Sequence, residues 1–207
     1  MRALEAYRFW AWFSDNHSRY LQPRQLDSKA IELLCVELNM ELEKYCAGLS
    51  AEFPLHENGE NELIITASGY EQYFDRAEDL VFMAPKLKEW NITALRPSQW
   101  DFPITLEYEG LHLSSDQLWF APLESREEPH LFGIEVYFKD YDPTKENVYF
   151  AAASKMIDTI LGEKASTLDV QYLQVGQLPE KYNAYTILEL EDLTAYIEMW
   201  KEQVMMN

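Results

Sequence analysis

The sequence predicts an α+β fold: a single domain over residues 1–207 with one antiparallel or mixed sheet of about five to seven strands, its helices packed mainly on one face. Three observations predict it. Apolar residues recur at helical spacing over residues 31–49, then at every second position over 102–108 and 131–138. Several candidate strands are joined by connections too short for a crossover helix, so much of the sheet runs antiparallel. The chain is also rich in core-building material. It is 47% hydrophobic and 14% aromatic, with 13 Tyr, 10 Phe and 6 Trp, and rings bury enough area to hold a chain of this length without staples.

The elements follow in order. Ala6, Phe9, Trp10 and Phe13 share one face of a helix over 3–14, with Trp12 to the side. A second helix runs from Leu26 to Leu49, striped by Ile31, Leu34, Cys35, Leu38, Leu42, Tyr45 and Leu49 and capped by Asp27 or Ser28. Strands at 51–57 and 62–67 flank Asn58-Gly59, a hairpin-turn pair. A helix over 72–83 places Phe74, Ala77, Leu80 and Val81 inward and stops at Pro85. Strands are expected at 90–95, 102–108, 117–123 and 131–139, the last with Phe132, Ile134, Val136 and Phe138 on one face. A helix over 146–161 ends at Gly162, which suits a left-handed cap. Residues 168–175 return to the sheet. A last helix spans 187–204, with Thr186 and Glu189 at capping-box spacing. The stretch 123–130, with Pro122 and Pro129, is the most linker-like, but its flanking strands are expected to share one sheet.

Charge bounds the partners. The chain carries 36 acidic against 17 basic side chains, a formal charge of −19. Nucleic acid and anionic membrane surfaces are therefore excluded as partners, because their attraction depends on clustered Lys and Arg. A basic protein is the natural partner, and bacterial immunity proteins, which neutralise toxins, have this general character. No window approaches about 18 uncharged apolar residues, so no membrane span is expected. Cys35 and Cys46 lie eleven positions apart on one predicted helix, about 16 Å along its axis and beyond the roughly 7 Å a disulfide bridges. Free thiols fit a cytoplasmic location.

The segment Glu62-Leu-Ile-Ile-Thr-Ala-Ser-Gly69, followed by Phe74, Leu80-Val81, Ala84-Pro85 and Trp90, resembles a family of uncharacterised bacterial proteins. In these an "ITA-x-G" strand end precedes a helix ending in Ala-Pro and then a Trp-led strand. The stretch 152–163, with Asp158 and Leu161-Gly162-Glu163, is similar to the same group, and the likeness covers residues 60–180. It implies a bacterial, intracellular α+β domain of unknown function and assigns no residue a role.

Chemistry leaves few traces. The histidines His17, His56, His112 and His130 have no metal-site spacing, no glycine-rich phosphate loop is present, and neither a metal nor a cofactor is expected. The serines include no nucleophile elbow; Ser68, at a strand-to-helix junction, is read as a cap or turn residue. The distributed alternative is an enzyme of hydrolase type, with His112, His130 and Glu135 brought together by neighbouring strands and Arg96 paired with Glu107 or Glu135. The favoured reading is a non-catalytic protein-binding module. Its interface candidates are Trp12, Trp100, Trp119 and Tyr141, aromatics in excess of the predicted core stripes.

Overall fold

The computed structural model describes residues 2–21, 27–54, 60–124, 128 and 131–205. They form α-helices and strands in the α+β manner expected. The strands are not gathered into one sheet, however: they make sheets of three, two and four strands. The chain divides into two compact units, Met1–Arg96 and Pro97–Asn207, each around its own apolar cluster. The division falls at Arg96-Pro97-Ser98, which the sequence presents only as a turn between strands.

The first unit opens with α1 (Arg2–Asn16). Its predicted face is the buried one: Ala6, Phe9, Trp10 and Phe13 all enter the core. The Trp10 indole N–H donates to the Leu80 carbonyl at 2.7 Å, which satisfies the one polar atom this ring brings inside. Helix α2 (Ser28–Glu43) starts where Asp27 caps it, the carboxylate accepting from the Ala30 N–H. It is shorter than the predicted 26–49 and ends at Glu43. Tyr45 and Leu49 still reach the core from the turns that follow. Strand β1 (Ser50–Glu52) pairs antiparallel with β2 (Asn61–Thr66); the predicted Asn58-Gly59 turn lies outside the described residues. Helix α3 (Phe74–Phe82) then carries the chain to β3 (Trp90–Ala94), which lies parallel to β2. This is a βαβ crossover, the only economical route between parallel neighbours.

The second unit begins with a hairpin that the sequence does not announce. Strand β4 (Thr105–Tyr108) pairs with β5 (Leu111–Ser114), and the turn is Glu109-Gly110, both at positive φ (45° and 83°). Its signal is weak because Glu, unlike Asn or Asp, is not a usual left-handed residue. Strands β6 (Leu118–Glu124) and β7 (Phe132–Phe138) pair antiparallel, so the linker-like stretch does connect two strands of one sheet. Strand β8 (Tyr172–Gln177) runs parallel to β7, and the short β9 (Leu188–Glu189) closes the other edge beside β6. Phe132, Ile134, Val136 and Phe138 are buried on the predicted face of β7. Against them pack Tyr149, Met156 and Ile160 of α4 (Glu146–Leu161) and Leu193 and Ile197 of α6 (Leu193–Met205).

Local details differ from the sequence reading for identifiable reasons. Gly162 has φ 78° as expected, but the chain re-enters a helix at once, α5 (Glu163–Asp169), so the strand starts at Tyr172 and not at 168. Lys155, which helical spacing with Ala151, Ala152 and Met156 places near the buried side of α4, is exposed, its ammonium lying 5.2 Å from the centre of the Tyr108 ring. The Thr186–Glu189 capping box does not form. Thr186 donates to the Asn183 carbonyl while Glu189 sits in β9, and helix α6 begins four residues later at Leu193. Ser68 makes no side-chain cap to the helical turn at Glu71–Tyr73. It serves as a turn residue at φ 53°, and its N–H donates to Thr66 Oγ1.

Candidate functional site

Helix α2 has two apolar faces. Leu38 and Leu42 point into the first unit's core and are fully buried. Leu33, Val36 and Met40 are 61%, 50% and 61% exposed. Spaced three and four apart, they fall within about 60° of arc on the outward side. A solvated helix face ordinarily carries polar residues, and a helix apolar all round is ordinarily covered all round. Here only one side is covered within this unit.

Carboxylates border the outward row. Glu32 and Glu43, both exposed, lie along one side. Along the other, Glu37 forms a two-pronged ion pair with Arg19 at 2.9 and 2.6 Å. That hydrogen-bonded guanidinium holds the Glu37 carboxyl below its ordinary pKa, and the carboxylate raises that of Arg19. Glu41 pairs with Lys44 one turn on. Exposed Lys29 and Lys44 stand at the two ends. The result is an apolar row with an acidic border on one side and fixed ion pairs on the other. Sequence reasoning missed it because the inner stripe already accounts for the helix. The signal is present all the same, as a second row of three apolar residues at helical spacing.

The aromatic candidates separate. Trp100 is 60% exposed, its indole N–H donating to Ser98 Oγ at 2.9 Å. Trp12 is half-buried against the core, edge-on to Tyr20 at 6.4 Å. Tyr141 is half-buried too, its ring stacked on Phe138 and tilted against Tyr149. Trp119 is only 9% exposed. It is a sheet residue on β6, with the Lys139 ammonium over its ring at 4.8 Å. Trp119 is therefore a packing residue and leaves the set of interface candidates.

Of the alternative-site candidates, His112, Glu135 and Arg96 are described. His130 lies outside the described residues. The His112 side chain is 79% exposed on β5, with Glu107 Oε2 of the facing strand at 4.0 Å, beyond hydrogen-bond distance. It edges a shallow depression of about 160 Å³ that also includes Ser114, Lys139 and Asp140. Glu135 has a different neighbour, accepting from the Tyr137 hydroxyl at 2.8 Å. Burial, then this hydrogen bond and the carboxylate's charge, push the Tyr137 phenol up to about 12. Arg96 donates to Glu52 Oε1 at 3.0 Å and Thr66 Oγ1 at 3.1 Å, tying down the end of β2. Among the described residues no group of three His, Cys, Asp or Glu side chains is placed to hold a metal ion. Among them, too, no helix is long and apolar enough to cross a membrane.

Comparison with protein-family models, curated proteins and solved structures finds no match for this chain.

Proposed function

We propose that this chain is a non-catalytic protein-binding module whose contact surface is the outward face of α2, and that its partner is a basic protein. The observation that carries the reading is the row Leu33, Val36 and Met40, exposed on a helix whose other face is already committed to a core. Exposed apolar side chains in a row, edged by charge, are the anatomy of an interface centre and rim. The net charge of −19 supplies the long-range attraction for a partner rich in Lys and Arg, and Glu32 and Glu43 supply its local landing points. The partner's matching surface is an apolar ridge with cations beside it. Neutralisation of a basic toxin, in the manner of an immunity protein, is one biological form of this reading.

The test is a paired capture from the cytosol of the source organism. Wild type and a Leu33→Ser/Met40→Ser variant serve as baits, and circular dichroism verifies the fold of both. The expected result is a protein with more Lys and Arg than Asp and Glu, retained by wild type and lost from the variant. Retention by both baits, or retention of an acidic protein, would contradict the reading.

A further inference from the structure

Against the inner face of α2, near its N-terminal half, the first unit holds a cavity of about 270 Å³. Its walls are Ile31, Leu34 and Cys35 of the helix, Ala51 and Glu52 of β1, Phe53 beyond it, and Tyr20. All but Tyr20 are half-buried, so the cavity opens to solvent. Two of its polar side chains have partners. The Tyr20 hydroxyl donates to the Leu34 carbonyl at 3.4 Å. Glu52, the one charged wall residue, is held by Arg96 at 3.0 Å. Tyr20 and Phe53 stack at 5.3 Å with their planes 23° apart, so the wall carries two near-parallel aromatic rings. Cys35 and Ala51 add small side chains to the wall, which leave space that larger ones would fill. Burial raises the Cys35 thiol's pKa, so it meets the cavity as a neutral, weakly polar group.

We propose that this cavity binds a small, uncharged, flat apolar molecule, of two-ring aromatic size. The size follows from volume: an apolar cavity of about 150 Å³ holds benzene, so about 270 Å³ accommodates roughly ten non-hydrogen atoms. The charge follows from the walls, which offer no unpaired ion to a charged ligand and would desolvate one at a cost. The flatness follows from the near-parallel Tyr20 and Phe53 rings in the wall, against which an aromatic ring packs in stacked or edge-on contact. This inference stands independently of the partner proposed for the outward face.

The probe is 1-aminonaphthalene, neutral at pH 7 and brighter in apolar surroundings. Its emission is titrated with wild type, with Ala51→Leu, which fills the cavity, and with Leu33→Ser/Met40→Ser, which alters only the outer row. Alkylation of Cys35 by iodoacetamide is followed in wild type with and without probe, with half-buried Cys46 as internal reference. The expected result is saturable emission, at least tenfold weaker binding by Ala51→Leu, unchanged binding by the outer-row variant, and slowed alkylation of Cys35 alone. Should Ala51→Leu fail to fold, the protection of Cys35 in wild type decides. Absence of saturation, unprotected Cys35, or binding lost with the outer row and kept in Ala51→Leu would each overturn the proposal.

Discussion

Truncating a leucine on each side of α2 tests the assignment of its faces with one chemistry. Leu38→Ala removes three carbons from a fully buried position. At about 0.8 kcal/mol per buried carbon the transfer loss is about 2.4 kcal/mol, and the cavity left behind adds to it, within the roughly 2–5 kcal/mol range of such truncations. A loss of about 3–4 kcal/mol is expected. Leu33→Ala removes the same atoms from a side chain that is 61% exposed. Most of the transfer loss is absent there, and Ala is the better helix former, so the change stays within about 0.5 kcal/mol. Urea unfolding followed by far-UV circular dichroism reads both. With a slope of about 2 kcal/mol per molar, Leu38→Ala moves the midpoint down by about 1.5–2 M, and Leu33→Ala leaves it within about 0.25 M. Equal losses in the two variants would refute the assignment of faces, and with it the outward apolar row.

Three further outcomes are expected. Burial raises the phenols of Tyr20 and Tyr137 from 10.0 to about 12; their protons bind more tightly in the folded state, so the stability they contribute is complete below pH 10 and lost as pH climbs towards 12. Absorbance titration checks this as a late phenolate step, its Tyr137 part moved earlier by Glu135→Gln, and a single midpoint for all tyrosines would contradict it. A Cβ at Gly133 would meet Tyr172 Cβ at 2.7 Å and its carbonyl at 3.1 Å, whereas one at Gly176 meets chiefly the movable Glu135 carboxylate; Gly133→Ala therefore costs about 1–3 kcal/mol and Gly176→Ala less, as paired urea melts will register, and a greater loss at Gly176 would be the wrong order. Replacing the exposed His112 by Ala leaves stability and partner capture unchanged, while hydrolase turnover that disappears in this variant, in a broad substrate screen, would overturn the binding reading.

What the sequence made legible was periodic and local. The core face of α1 and the inner face of β7 were readable because one period ran unbroken through each. The Asp27 cap was readable because a cap needs only a side chain and an N–H three residues on. What escaped depended on distant choices. The partition into two cores at Arg96/Pro97 follows from which strands pair, and no residue near the boundary encodes that. The exposure of Trp100 and the burial of Trp119 likewise depend on neighbours far along the chain, such as Tyr182. The β4–β5 hairpin was hidden by its Glu109-Gly110 turn. The outward row of α2 is a different case. Leu33, Val36 and Met40 were visible as a pattern, but one helix can bury only part of its circumference in a small unit, and which part stays outside was set by the fold.

The central claim is that α2 meets a basic partner with its outward face, and hydrogen exchange on the complex tests it most directly. The partner retained by wild type is added in excess, and amide exchange is followed by mass spectrometry along the chain. The account predicts slowed exchange across residues 28–43, relieved as salt is raised because the encounter is electrostatic, with residues 132–138 unchanged. Slowing confined to the second unit, around Trp100 or Tyr185, with α2 exchanging as in the free protein, would contradict it.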